Sequence, residues 1–490
     1  MRQVLSPDQM RALEARYFAG GSPSYRLMER AASALVDVLE ARLGKCEGHC
    51  AYFACGPGNN GGDGYAAARL FAGRGGRAGV ISLSSEEMLT GDARENCLRA
   101  HRTPRVYFRA ADELDALETP DIWVDAMFGI GLSRPLSGLY REMAQRMARD
   151  RTAGARVAAV DIASGLSGQT GLVLGDSAVQ ADFTVTFERE KLGHMLGEGP
   201  EYTGELIVRS IGLPSLLVPA DASLLVEARD LEGRFPPRRR NSYKNMYGHL
   251  LLIAGSRGMA GAAILSARSA LRAGVGLVSV AAPESIVPMI QSCAPCAMCL
   301  PLPEREGAVA PEAAPLIAQA LEGKQAVAIG PGLSIRCAPE AVRAALESQA
   351  GAVIDADALN IVAREPSLFK LLCERHLLTP HPGEAARLLG RPVDDPVRDA
   401  RELRRRTGAH VLLKGATTVI ASGKTYLSTS GTPGMATGGS GDVLTGLCAA
   451  LLAQGRTPDE ALWLGSQIHG MAGERAANAL GEICMNAGTL

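Results

Sequence analysis

The sequence predicts an α/β protein of two large domains, each a three-layer sandwich with a mostly parallel sheet between helices. Three observations carry that prediction. The chain has 490 residues, too many for one ordinary core. Short, unbroken apolar runs alternate with amphipathic stretches along its whole length, and strands apolar on both faces belong to parallel sheets covered on both sides. A joint dense in proline and charge, between Leu213 and Pro237, separates two such series. The domains are accordingly drawn at residues 1–218 and 228–490.

Two helices are expected first, over residues 6–43, with Ser6 capping the first ahead of Pro7. Strands follow over 50–54, 78–82, 122–125, 157–161 and 183–187, with helices over 63–73, 92–101 and 139–148 between them. Beyond the joint, strands are expected over 250–254, 276–280, 326–329, 352–355, 377–379 and 411–414. A late hairpin, 417–421 with 425–427, turns at Ser422 and Gly423. Helices are expected over 260–272, 311–321, 339–348, 383–389, 442–453 and 458–479.

Composition narrows the function classes. Hydrophobic residues make up 47% and charged ones 21%, the balance of a folded globular chain. A net charge of −1 gives no pull toward nucleic acid or an acidic membrane. The basic runs at 238–240 and 404–406 are short, as solvated loops or helix faces are. No apolar segment is long enough to span a bilayer, and the first residues lack a signal-peptide core, so a cytoplasmic protein is expected. The 11 cysteines, an odd number, fit reduced thiols better than disulfides. Cys293, Cys296 and Cys299 have a spacing seen in metal sites, yet no fourth ligand is close by. A buried apolar strand or loop is the expected setting for them, with no metal.

Chemistry concentrates at predicted strand ends, where ligands sit in doubly wound folds. The stretch from Gly431 to Gly441 carries five glycines in eleven residues, then Asp442 and an apolar helix. Unpartnered N–H groups and the helix dipole make such a junction a site for phosphate oxygens. Capping by Ser440 or Asp442 is the ligand-free alternative. In the first half, residues 56–64 form a second glycine-rich turn, whose glycines allow close approach and positive φ. Asn59, Asn60 and Asp63 add oxygens suited to a hard cation. The spacing is not the dinucleotide fingerprint. Asp125 and Asp161 each end a strand, and Arg134 is placed to pair with phosphate. In the second half, turns at 330–333, 355–360, 379–384 and 414–418 are expected to outline one cleft with the terminal loop. His381 is fixed between two prolines, and Lys414 either neutralises a diphosphate or caps its turn.

The first half resembles the NAD(P)H-hydrate epimerase domain, in residues 27–31, 59–64, 125–134, 160–165, 186–188 and 191–194. That resemblance implies a Rossmann-like three-layer sandwich. It implies a potassium ion held by Asn60, Asp125 and Ser164. It also implies a substrate site of Asn59, Asn60, Gly61, Gly62, Asp63, Gly129, Ile130, Gly131, Leu132, Ser133, Arg134, Pro135 and Asp161. Asp161 is the expected proton shuttle, because R and S hydrates differ at one nicotinamide carbon and interconvert by reversible breaking of its carbon–oxygen bond. Lys191 is a further candidate for phosphate contact or charge stabilisation.

The second half resembles the ADP-dependent NAD(P)H-hydrate dehydratase, of the ribokinase-like superfamily, in residues 255–262, 355–360, 379–384, 414–418 and 431–446. The implied fold is a ribokinase-like three-layer sandwich. The implied nucleotide contacts are Lys414, Gly415, Ala416, Thr417, Thr418, Gly438, Gly439, Ser440 and Gly441; Ala263, Gly332, His381 and Asp442 would contact the hydrate. Asp442 stands at the catalytic base, and ADP with magnesium is the implied co-substrate. Two departures from the family pattern are Tyr243-Lys244-Asn245 and Ser334, the latter where glycine is common. The expected protein is a two-activity enzyme acting on hydrated NADH and NADPH, a homo-oligomer with neither nucleic-acid nor membrane partners. The alternative is a ribokinase-like small-molecule kinase with a nucleotide-binding amino-terminal module.

Overall fold

The chain forms two compact units, one of residues 3–222 and one of residues 223–490 together with Met1 and Arg2. The structure, a computed structural model, describes residues 1–110, 114 and 116–490. The unit of residues 3–222 is built on a sheet of seven parallel strands. Their order is Val106–Arg109, Arg77–Ser82, Cys50–Cys55, Ile122–Ala126, Arg156–Val160, Phe183–Phe187 and Glu205–Arg209. The five inner strands are those the apolar runs predict. Sequence reading misses the two edges because each is half solvated and carries charge among its apolar residues, so no unbroken apolar run marks it. Alternate side chains of the inner strands fill two cores. Phe53 and Val80 pack toward Leu35, Tyr65 and Phe71; Tyr52, Trp123 and Val157 pack toward Met143 and Met147. Ser6 caps the helix Pro7–Ala19 through a capping box with Gln9, and Ser24–Leu43 follows.

The chain leaves the strand Cys50–Cys55 toward one edge and returns to its other side as Ile122–Ala126. That reversal opens a crevice at the carboxyl ends. The glycine-rich stretch beside it differs from expectation. The helix Asn59–Gly73 begins four residues early, and none of Gly56, Gly58, Gly61, Gly62 or Gly64 has a positive φ. Their smallness serves contact instead. A Cβ on Gly61 would lie 1.9 Å from the Gly56 carbonyl oxygen, and one on Gly64 would lie 2.5 Å from the Ala126 Cβ.

In the unit of residues 223–490, the sheet runs Met298–Leu302, Leu277–Pro283, His249–Ile253, Ala326–Ile329, Gly351–Ile354, His376–Leu378 and His410–Leu413, all parallel. The hairpin Thr418–Ala421 with Thr425–Ser428 extends it antiparallel, and Ser223–Leu225 joins parallel to the hairpin. Helices Ala260–Arg272 and Ser440–Ala453 cross where a Cβ on Gly446 would lie 2.1 Å from the Ser266 carbonyl oxygen. Residues 355–360, expected as a turn, are the start of the helix Ala356–Arg364, and Pro396–Thr407 is a helix whose last turn carries the basic run at 404–406.

Two details correct or explain the sequence reading. Cys293 and Cys296 are exposed and Cys299 is half-buried, so the expected burial fails. The first two sit at and beyond the end of the short helix Val287–Cys293, beside the sheet-edge strand Met298–Leu302. Among the described residues, no group of three His, Cys, Asp or Glu is placed to hold a metal. Ser334 has φ 67°, a conformation that favours glycine, which accounts for glycine being common there in the family it resembles. Asp357 accepts the Ser334 N–H at 2.9 Å and holds the turn.

Candidate functional site

The crevice in the first unit opens into a cavity of about 480 Å³. Asn59, Asn60, Asp63, residues 129–134 and Asp161 line it, as expected. Gly61 and Gly62 are buried in packing behind it; Pro135 is exposed and packs toward Gly175, so these three are not part of the wall.

Asp161 stands one residue past the strand Arg156–Val160 with φ 65°. Such a backbone costs a non-glycine residue on the order of 1–3 kcal/mol, so the surroundings must hold it there. His194 does part of this. Its Nδ1 accepts the Lys191 N–H at 3.1 Å, which leaves Nε2–H to donate to the Asp161 carbonyl at 2.8 Å. Burial, with Lys191 nearby, pushes His194 down to about 4, so the ring is neutral near pH 7. Lys191 is fully buried and its three N–H donors are spent on Asp161 Oδ1, on Thr186 Oγ1 at 2.8 Å and on the Phe187 carbonyl at 3.1 Å. It therefore has no donor for a phosphate, which removes one of the two roles expected of it. Burial acts to raise the Asp161 pKa; the Lys191 ammonium, with help from His194 and Thr186, outweighs it and holds the carboxyl below its usual range. The protein's bonds fall on Oδ1, and among the described residues Oδ2 takes no partner.

Beside this wall lies an oxygen-rich cage. Asp125 is fully buried; its Oδ1 accepts from Ser164 Oγ at 2.7 Å and its Oδ2 from Ser164 N at 2.7 Å. Ser164 Oγ also accepts the Phe128 N–H at 2.9 Å. The buried Asn60 Nδ2 has no partner, and the Asn60 carboxamide faces Gly129, where a Cβ would lie 3.4 Å from Oδ1. Burial pushes Asp125 up to about 6, and only hydrogen bonds pull it back. No basic side chain is among those groups.

In the second unit, the helix Ser440–Ala453 starts behind Gly439, at φ 95°, with no side-chain cap. Neither Ser440 nor Asp442 caps it. The loop before it is tied down: Gly431 N–H donates to Glu474 at 2.9 Å, and Thr432 bonds Glu482. Lys414 lies beneath the helix start; a Cβ on Gly441 would be 3.1 Å from Nζ. Asp355 holds it there, accepting from Lys414 Nζ at 2.6 Å and from Thr445 Oγ1 at 2.6 Å. Burial and the neighbouring Asp355 raise Asp442 to about 6, against the pull of Lys414.

A family model described as NAD(P)H-hydrate dehydratase matches residues 250–490, and one described as YjeF-related protein N-terminus matches residues 24–193. A bifunctional NAD(P)H-hydrate repair enzyme of Thermofilum pendens is 39% identical over 482 residues, covering 95% of this chain and 90% of its own. The chain belongs to the bifunctional NAD(P)H-hydrate repair enzyme family. Another member, from Moorella thermoacetica, is 38% identical and covers 96% of this chain and 91% of its own. Among solved structures, an ADP/ATP-dependent NAD(P)H-hydrate dehydratase from Bacillus subtilis, co-crystallised with ATP and Mg²⁺, is 30% identical. It covers 52% of this chain and 89% of its own, with a TM-score of 0.43.

Within this repair enzyme the remaining expected residues fall unevenly. Gly332 packs near Ala262 and the Met259 carbonyl, and Ser256 donates to its carbonyl at 2.8 Å. Residues 414–418 join two antiparallel strands, with Gly415 and Ala416 exposed. His381 is half exposed and is itself a helix N-cap, its Nδ1 accepting from Gly383 N at 3.0 Å. Ala263 is fully buried near Gly255, so its side chain offers no surface to a hydrate. Sequence reading placed the 355–360 turn in the cleft but gave Asp355 no role of its own, and it missed Thr445 and Glu14 as site residues. The signal for Asp355 and Thr445 existed: an acid just past an apolar strand, and a hydroxyl within the apolar run that follows Asp442. Glu14 carries none, since an acid on an amphipathic helix reads as a solvated face.

Proposed function

We propose that residues 3–222 interconvert the R and S hydrates of NADH and NADPH, and that residues 223–490 dehydrate the S hydrate with ADP, releasing NAD(P)H, AMP and phosphate. The observation that carries this is one chain holding two separate carboxylate-centred sites: Asp161 in a cavity at a sheet reversal, and Asp442 behind an uncapped helix start. In the second unit, the free N–H groups at Gly441 and Asp442 and the Lys414 ammonium receive the nucleotide's phosphates. Asp442 takes the proton of the hydrate's hydroxyl as it attacks the phosphoryl group. Phosphate is then a good leaving group, and the ring nitrogen expels it. Magnesium arrives with the nucleotide and keeps most of its ligands as phosphate and water, which neutralises charge during transfer. Supplying mixed R and S hydrates with ADP or ATP tests the reading. Reduced-cofactor absorbance and free phosphate are expected to rise together; a stable phosphorylated product instead would mark a kinase.

The cage of Asp125, Ser164 and Asn60 fits a hard monovalent cation: every donor is oxygen, and the buried Asp125 carboxyl lacks a basic partner. Potassium there would orient the loop carrying Gly129 to Arg134. Because Asp125 titrates near 6, protons compete with the ion. Potassium is therefore expected to raise the thermal midpoint of the full chain at pH 7.5 and to lose that effect by pH 5; equal effects at both would remove Asp125 from the site. The free cysteines among the described residues support a reducing, cytoplasmic setting.

A further inference from the structure

Epimerisation at a carbon bearing hydroxyl needs two proton transfers on opposite faces of the ring. The leaving oxygen must receive a proton, and the water that returns must lose one. Asp161 can serve only one of these at a time. Its Oδ1 is bound to Lys191, so in the resting enzyme it is a carboxylate, able to accept but not to give.

Asp63 faces the same cavity from the helix Asn59–Gly73. Among the described residues its carboxyl takes no hydrogen bond and no ion pair. The cation that faces it is Lys191, whose donors are all spent. Glu14, on the helix Pro7–Ala19, adds a third carboxyl to the same wall, with Arg11 beside it. Asp92 and Arg134 complete the charged lining. Carboxyls crowded around one saturated lysine cannot all ionise.

On the reading that this unit is the epimerase, we propose that Asp63 is the acid that protonates the departing hydroxyl while Asp161 is the base that deprotonates the incoming water.

The steps balance. The carbon–oxygen bond breaks with both electrons going to oxygen, and oxygen takes the Asp63 proton and leaves as water. The ring-nitrogen lone pair forms a double bond to the same carbon, giving a cationic ring that faces two carboxylates. Water then adds from the other face; its proton goes to Asp161 and the nitrogen regains its lone pair. Asp63 ends ionised and Asp161 protonated, and exchange with solvent restores the resting form. From the opposite epimer the steps run backward, starting from the form with Asp63 ionised and Asp161 protonated, which proton exchange with solvent supplies from the resting form. Burial, with Asp161 and Glu14 adding to it, holds Asp63 well above the usual carboxylate range, in keeping with a proton held at rest.

The test uses the full chain, purified R hydrate and ¹⁸O-labelled water, without nucleotide so that dehydration is silent. Wild type is expected to form the S hydrate and to place label in it. Asp63→Asn is expected to lower kcat for both readouts by about 10²–10⁴-fold, with KM little changed. The alkaline fall of wild-type kcat, caused by loss of the Asp63 proton, should vanish from its residual rate. Asp63→Glu should recover part of the rate and keep an alkaline fall, which a merely structural role would not require. Epimerisation and label entry by Asp63→Asn at the wild-type rate would overturn the proposal, as would a loss confined to KM. If Asp63→Asn does not fold, an Asp63→Glu profile without an alkaline fall would overturn it. A wild-type chain that does not interconvert the hydrates would instead sink the epimerase reading itself.

Discussion

Asp442→Asn is expected to lower nucleotide-driven dehydration by about 10²–10⁴-fold, the usual worth of a positioned base, while R-to-S conversion continues at the wild-type rate. The carboxylate lies behind a helix start whose N–H groups are uncapped and beside a lysine pinned by Asp355, so asparagine leaves the phosphate cradle intact and removes only the proton acceptor. The pH profile carries a second signature. A base must be ionised, and Asp442 is held at about 6, so wild-type kcat/KM should rise through that pH and level above it. Asp355 is one of the groups raising Asp442, so Asp355→Asn should move the rise to lower pH while weakening nucleotide affinity through the freed Lys414. Loss of both activities in Asp442→Asn would count against separate sites.

Asp161→Asn is expected to have the converse effect. Interconversion of the hydrates should fall by about 10²–10⁴-fold, so that from a mixed substrate only the S form is consumed promptly with ADP. Asparagine keeps a carbonyl oxygen for the Thr186 hydroxyl and the Lys191 ammonium, so the wall should persist while the base is lost. The acid limb follows from the lowered pKa of Asp161: the carboxylate is present at neutral pH and activity falls only as pH drops toward its depressed value. Prompt consumption of the R form by this variant would refute the role of Asp161.

Legibility followed physical cause. The strands apolar on both faces could be read because burial forbids charge along them, as in Ala326–Ile329, whose bounds the sequence reading matches. The edge strand Glu205–Arg209 could not, because solvent on one side permits charge at both of its ends. The glycines at 56–64 announced a special place, but not whether they served φ or contact; the contact reading needed the neighbouring strand in view. Asp161 and Asp442 stood out as acids at element ends. The nearby lysines did not reveal their duty: the interior Lys191, tied to Asp161, and the strand-end Lys414, tied to Asp355, look alike in sequence yet only one keeps an open side toward ligand.

The contact of Gly446 with the Ser266 backbone has a bearing on how the second unit can respond to its substrates. Helices 260–272 and 440–453 meet main chain to main chain at Gly446, and the Ser266 and Ser269 hydroxyls of the first donate to the Asp442 and Val443 carbonyls of the second. The close approach and the two hydroxyl ties couple the helices, so sliding of one past the other would break these contacts. Adaptation to a donor with one phosphate more or fewer is thus left to the span from Gly431 to Gly439, and donor preference should be altered by exchanging that span alone, with the scaffold beneath it left as it is.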